Sequence, residues 1–541
     1  MLSPFSSHLG TNYSASELEK AQIQQLLKGH IEDNQRIDCE IEELRPRLEA
    51  LIHKREENDR FIEPHLALLA PIRGLPCEIL RTIFSHCLPT PARFLEDSFD
   101  IQACMSATQA PMLLTFICQL WREIALDSPE LWQRVPITFS PSKLQSLTDV
   151  DLAVQNTSQL ATLWLSRARN RPVAISISLL YPMAGRTQSD KFLAFITRYS
   201  SQWEELRMFS TIEDPGLLDG ILSLPPSSVP NLRNLDVPAR ALWRPFDKKC
   251  LLRGPSIRGF LYKWTNYDHF AKLPLQWSQL TDLYIGSLNT TDTNIRKIFA
   301  RCPRLERCHI RISTVEIFEP LPRLRLSYLV LLDIRQPGRT PDPPTGFLAS
   351  LDLPSLKDLT IYIRNLPAVG ESLASTLRRL TVFSDPCSIA TGMLETLALT
   401  ARLESLELCY DIPYLLWPHS PHYDTAFLAA LTPRQEENSS ASRNTSSGSE
   451  PLLARLMERW NYPSYLCPNL QDIKLQTGAQ SSIADEVIFD FIKGRRERFT
   501  TLRSFSLEYA RPAGDGEREM QGVFQGVKVN IKYINYKARF N

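Results

Sequence analysis

The side chains best suited to chemistry are scattered along this chain. Of nine histidines, only His419 and His422 stand three to five positions apart, and no cysteine lies beside them. A zinc site needs His and Cys ligands at short, fixed spacing, so the pair does not read as a metal centre. The 11 cysteines are odd in number and contain no CxxC pair. That fits neither a disulfide framework nor a zinc module. Reduced, mostly buried thiols are expected instead. No Gly-rich phosphate loop, HExxH or GxSxG elbow occurs, and these are the local patterns that announce nucleotide, metalloprotease and hydrolase chemistry. Arg495, Arg496 and Arg498 fall at the end of an expected amphipathic helix that starts near Asp485, where cations complement the negative helix end. The residues imply no cofactor, no metal and no enzyme.

Charge and hydropathy point the same way. Lys and Arg total 61 against 60 Asp and Glu, so no net field draws the chain to nucleic acid or to a membrane surface. The opening MLSPFSSHLG has neither the basic nor the apolar stretch of a secretory signal. No apolar run approaches the ~20 residues of a membrane span. An intracellular protein, cytoplasmic and/or nuclear, is the expectation. The length of 541 residues suggests roughly two to four folding units. With 39 prolines against 20 glycines, many short elements separated by rigid breaks are favoured over Gly-rich nucleotide loops.

The elements that would position any binding surface begin with a helical stalk. After a disordered start over 1–15, residues 16–63 are rich in helix formers, and Ser16 with Glu19 offers a capping box. Ile23, Leu27, His30, Asn34, Ile37, Ile41, Leu44, Leu48 and Leu51 recur at alternating steps of four and three. This is an a/d seam over four heptads, which predicts a coiled coil or a helical hairpin. The seam fits self-association through 16–63 or packing back on the same chain. Pro46 lies within it and predicts a kink or break, and the stalk is expected to end at Pro64.

Two helical blocks follow, within 71–135. In the first, Pro76 suits the opening turn of a helix and Glu78 its positive end. Ile79, Leu80, Ile83, Phe84 and Cys87 then make an apolar face. The second runs from Phe116 to Trp132, with Ile117, Leu120, Trp121, Ile124 and Ala125 at helical spacing. Together the Leu75-Pro76-Cys77-Glu78-Ile79-Leu80 block and the Cys118-Gln-Leu-Trp121-Arg-Glu-Ile-Ala block, closing on Pro129-Glu-Leu-Trp132, resemble the F-box. The chain is similar to the coiled-coil-plus-F-box proteins of mushroom-forming fungi, with a longer connector over 89–111. The resemblance implies binding to the Skp adaptor of a cullin ubiquitin ligase. It places the contact surface on Leu75, Pro76, Ile79, Leu80, Ile83 and Phe84, with Cys118 and Trp121 from the second block.

Over 150–510 a theme of L-x-x-L-x-(L/I/V) recurs, for example at Leu232–Leu235–Val237, Leu280–Leu283–Ile285, Leu356–Leu359–Ile361 and Leu470–Ile473–Leu475. Weaker copies stand at Leu206 and at Ile257–Phe260–Tyr262. Such spacing predicts one parallel strand per repeat, with helical connections such as 191–196 and 294–300 coating the other side. The asparagine that closes each turn in regular leucine-rich repeats is mostly missing. The array is interrupted between 408 and 470, where a polar insertion near 432–452 is expected to be disordered. In the tail, 511–541, the stretch Gly522–Tyr533 alternates like a final strand. The expected fold class is α + α/β: an N-terminal helical stalk and a small three-helix F-box, followed by an irregular leucine-rich-repeat-like solenoid with a parallel sheet. A substrate-recruiting ligase adaptor holding an unknown protein target is the expected function; a ligase-independent interaction scaffold is the alternative.

Overall fold

Parallel strands can bury a leucine at every second position only if neighbours keep the same register. The computed structural model of the chain meets that condition. It describes residues 3–89, 105–139, 147–179, 186–210, 215–238, 250–263, 265–289, 292–312, 323–335, 348, 350–362, 371–384, 396–410, 428, 431–432, 466–476, 485–509 and 527–533. The expected disorder near 432–452 and the connector 90–104 lie outside these residues. The chain divides into two compact units, Met1–Ile83 and Phe84–Asn541.

The first unit is dominated by α1, Glu17–Leu69. Its start is the expected capping box: the Ser16 amide donates to Glu19 Oε2 at 2.8 Å and the Glu19 amide reaches Ser16 Oγ at 3.4 Å. Those bonds, the Ser16 hydroxyl first among them, hold the Glu19 carboxyl below its usual range. The helix runs through Pro46 and Pro64 without a break and ends six residues beyond 63. Each proline removes one backbone bond, but strong helix formers lie on both sides, and exposed pairs such as Arg45–Glu42 at 3.3 Å brace the surface. The hairpin alternative is thereby replaced by one long helix. Helix α2, Cys77–His86, follows a short 3-10 turn, with the Pro76 carbonyl accepting the Ile79 and Leu80 amides at 3.1 Å.

The second unit opens with α3, Gln119–Leu126, and the turn Pro129–Trp132. Trp132 is fully buried, and its Nε1–H donates to Ala125 O at 2.8 Å. Its ring meets Trp164 edge-on at 5.0 Å, and the Arg167 guanidinium lies 4.3 Å from the ring centre. Trp164 and Arg167 belong to α4, Leu147–Ala168, so one indole joins the second helical block to the array.

The array is a 15-stranded sheet. Its strands in order are β1 (Arg134–Phe139), β2 (Val173–Leu179), β3 (Trp203–Ser210), β4 (Asn234–Pro238), β5 (Gly259–Lys263), β6 (Asp282–Asn289) and β7 (Arg307–Ile312). They continue as β8 (Leu331–Arg335), β9 (Asp358–Tyr362), β10 (Arg379–Ser384), β11 (Ser405–Tyr410), β12 (Asp472–Gln476), β13 (Ser504–Tyr509) and β14 (Lys528–Tyr533). Each pairs parallel with the next, and a short strand at Thr265–Asn266 pairs β6 off this path. The sheet begins at Arg134 rather than near 150. β1 and β2 read VPITF and VAISISL, continuous apolar alternation without the spaced leucines of the repeat theme. The expected final strand is β14, paired with β13 from Ser504↔Lys528 to Tyr509↔Tyr533.

Register carries the repeat theme across the sheet. One row aligns Leu206, Leu235, Phe260, Leu283, Cys308, Leu332, Leu359, Leu380, Leu406, Ile473 and Phe505, all buried. Helices α5 (Arg186–Thr197), α6 (Pro215–Leu222) and α7 (Asp292–Arg301) occupy connections between strands, as the helical spacing predicts. The missing closing asparagine is replaced one position ahead of the first apolar residue. Asn231 and Asn469 side chains donate to Ser201 O and Ala401 O at 2.8 and 3.0 Å. Ser256 and Ser355 hydroxyls reach Pro230 O and Ser327 O at 2.7 Å, and Gln279 Nε2 reaches Gly254 O at 3.2 Å. Any side chain that can donate to the preceding turn serves there, so the position looks irregular in sequence and is regular in space.

β11 pairs directly with β12 although residues 411–471 separate them. Arg495, on α8 (Asp485–Phe499), holds this junction. The guanidinium is buried and donates to Leu431 O at 2.9 Å, to Cys467 O at 2.7 Å and to Leu466 O. It is therefore a core staple, not a surface cation at a helix end; burial pushes its pKa down to about 10. Arg496 and Arg498 are exposed in the last turn, as expected. We predict that Arg495→Met lowers unfolding stability by about 3 kcal/mol, because three buried carbonyls lose a charged donor. Arg495→Lys should recover little, since one ammonium cannot reproduce the fork. Urea unfolding of the full chain checks both.

Candidate functional site

The two helical blocks split their apolar residues between core and surface. On α2 and its entry, Leu80 and Phe84 are fully buried, Leu75 and Ile83 are half-buried, and Pro76 is exposed. Ile79 is 48% exposed, on the face that Leu80 leaves. On this ten-residue helix Leu80 and Phe84, one turn apart, share the buried side, and Ile79 sits about 100° away from Leu80 around the axis. In the second block, Trp121 is half-buried with its ring 4.8 Å from that of Phe84, while Ile124 and Ala125 are buried. Cys118 precedes α3 in extended conformation and is exposed.

The helical spacing places Ile117 and Leu120 on one helix face, with Phe116 opening the same block. All three are exposed, Phe116 at 57%, Ile117 at 54% and Leu120 at 42%. Phe116 and Ile117 lie ahead of α3, at the end of a 3-10 turn, and the extended Cys118 takes them off the helical spacing that relates Leu120, Trp121, Ile124 and Ala125. A pair of substitutions separates the two classes of residue. Leu80→Ala is predicted to cost 2–5 kcal/mol of stability and Ile79→Ala less than about 0.5 kcal/mol, read as thermal or urea unfolding of the full chain.

The second candidate surface is the face of the sheet turned away from the buried rows. One of its rows aligns Glu205, Asn234, Gly259, Asp282, Arg307, Leu331, Asp358 and Arg379; the next aligns Arg207, Asp236, Leu261, Tyr284, His309 and Asp333. Opposite charges meet on neighbouring strands. Arg379 grips Asp358 with two bonds of 2.6 Å, Lys474 meets Glu407 at 2.5 Å, and Arg307 contacts Asp282. His309 Nδ1 lies 3.2 Å from Oδ2 of the buried Asp333, and its ring is 5.9 Å from that of Tyr284. The more exposed of these pairs add little stability; together they give the face a fixed pattern of charge and hydrogen-bonding groups. A depression of about 200 Å³ opens over Gly259 and Leu261, between Asp236, Tyr284, Arg307 and His309. At Gly259 the Asn234 side chain lies where a Cβ would stand, so a larger residue there would have to displace that amide.

The candidates for metal or nucleophilic chemistry among the described residues are their His, Cys, Asp and Glu side chains. No three His, Cys, Asp or Glu side chains gather as a metal site among them, and no helix there is long and apolar enough to cross a membrane. Five described thiols are buried, at Cys250, Cys302, Cys308, Cys409 and Cys467, whereas Cys39, Cys77, Cys87 and Cys118 are exposed. Burial pushes Cys302 up to about 12 and Cys467 up to about 11, and Cys308 well above the ordinary thiol value. Such thiols are not nucleophiles.

They do make stability depend on alkaline pH. In the fold these thiols stay neutral, while in the unfolded chain they ionise near pH 8.5. Their contribution is complete below that value and falls as pH rises toward the raised folded values. We predict a loss of ~1.4 kcal/mol per pH unit per thiol between about pH 9 and 11. Cys302→Ala should flatten the slope of urea unfolding free energy against pH in that window.

No protein-family model matches the chain, and no curated protein matches it. Among solved structures it is similar to the crystal structure of the Rad7 and Elc1 complex in yeast, at 12% identity, covering 95% of this chain and 98% of that one, with a TM-score of 0.32. The fold is defined by the chain's own strand register: a helical N-terminus and a long parallel, leucine-rich-repeat-like solenoid sheet.

Proposed function

We infer that the protein is a non-enzymatic adaptor of a Skp–cullin–F-box ubiquitin ligase, acting in the cytoplasm, the nucleus or both. In this reading residues 71–135 are an F-box that binds the Skp adaptor, and the open face of the repeat sheet holds a protein target. The observation that carries the reading is the exposure of Pro76, Ile79 and Cys118 at positions matching the family's contact surface, with Leu75, Ile83 and Trp121 half-exposed. Phe116, Ile117 and Leu120 widen the apolar surface of the second block. Leu80 and Phe84 then act through the fold, holding α2 in shape rather than meeting the adaptor.

Apolar side chains at the centre of an interface, ringed by polar groups, are the residues whose loss costs most in binding. Leu75→Ala with Pro76→Ala, or Ile79→Asp alone, is predicted to lower recovery of a Skp-type adaptor with the full-length protein at least tenfold. The thermal unfolding midpoint should stay near that of the parent chain. Undiminished adaptor recovery by a folded variant would count against ligase recruitment and leave the interaction-scaffold reading in its place.

A further inference from the structure

We propose that α1 pairs with α1 of a second copy of this chain as a parallel, in-register coiled coil. The seam residues Leu27, Ile37, Ile41, Leu44, Leu48 and Leu51 all lie along one 53-residue helix, and each is between 44% and 59% exposed. They recur at the spacing that two supercoiled helices bury between them. Pro46 falls at an outward heptad position, where its ring does not obstruct a facing helix.

The polar members of the seam select the partner and its direction. Leu27, Asn34, Ile41 and Leu48 occupy a positions; Ile23, His30, Ile37, Leu44 and Leu51 occupy d. In a parallel, in-register pair each residue faces its own copy, so Asn34 meets Asn34 amide to amide and the aliphatic layers stay aliphatic. In an antiparallel pair a faces d. Registers that retain the seam then set Asn34 against Ile37, Leu44 or Leu51, burying an amide without a partner. Only a register that gives up the C-terminal half of the seam sets Asn34 against His30. A single buried Asn at an a position is a known device for fixing two strands and their register.

The flanking charges agree. In the parallel pair Glu40 lies beside Arg45 of the second copy, and Lys54 beside Asp59 of the second copy. Each attraction occurs twice by symmetry, against one opposing contact, Asp33 with Asp38, also repeated. Leu26 and Ile31, both exposed, lie beside each other across the N-terminal end and widen the apolar strip. A second copy therefore satisfies the seam by shape, polarity and charge together. Pairing would present two open sheet faces on one assembly, raising avidity for a target with repeated epitopes.

Light scattering of the full-length protein during size exclusion should give twice the 61.8 kDa chain mass. Ile41→Asp with Leu48→Asp should return it to one chain with unchanged thermal unfolding of the repeat sheet. Asn34→Leu should abolish the single two-chain species in favour of mixed oligomers. In a Cys39→Ser background, Leu44→Cys should cross-link to itself on mild oxidation, with the joined peptide identified by mass spectrometry. A one-chain mass for the parent protein overturns the proposal, as does a two-chain mass that survives the double Asp variant. Cross-linking of Leu27→Cys to Leu51→Cys, with none between two copies of Leu44→Cys, overturns the parallel arrangement.

Discussion

Everything in the larger unit depends on register between parallel strands. Because side chains alternate, a shift of one residue in any strand would carry a leucine to the open face and a charge into the core. The chain guards against that slip twice. Cross-strand charge pairs such as Asp358 with Arg379 sit on neighbouring rungs of the open face, and at several turns a polar side chain ahead of the first apolar residue ties that turn to the one before. Neither device needs a particular residue type, which is why the sequence can drift from a repeat consensus while the ladder stays intact.

The helical blocks obey a different constraint. They are short, and short helices have more apolar surface than they can cover by themselves. The division on α2, with Leu80 and Phe84 inside and Ile79 outside, is the outcome of that shortage. In the second block the same shortage leaves Phe116, Ile117 and Leu120 at the surface, while Trp132 secures the block to the array through its indole. The second block thus combines a buried, hydrogen-bonded indole with apolar residues left exposed at its start.

Much of this was legible from sequence because leucine spacing is a direct imprint of burial. The strands from Leu206 to Leu507, α1, α2, α3 and the last strand all follow from periodicity. β1 and β2 did not, since plain apolar–polar alternation without the spaced leucines lacks the repeat signature. Nor did the uninterrupted path of α1 through Pro46, where the local penalty of proline is outweighed by its neighbours. Arg495 is the sharpest case. Its position near a helix end suggested a solvated cation, and only tertiary structure brings the carbonyls of Leu431, Leu466 and Cys467 around it. On the open face the groups around Gly259 come from the successive strands β4 to β7, and they meet only through the register between those strands.

The Arg495 staple has a consequence for how such a chain can change over time. Strands β11 and β12 pair as directly as any others although residues 411–471 lie between them, and lengthening a loop raises its closure entropy only logarithmically. With the far side of the junction clamped to the helix that follows, the length of that connection is uncoupled from the geometry of the sheet. Segments could be gained or lost there by insertion and deletion while neighbouring rungs stay fixed. The sheet's register at this junction is therefore set by β11, β12 and the Arg495 staple rather than by the number of residues in between.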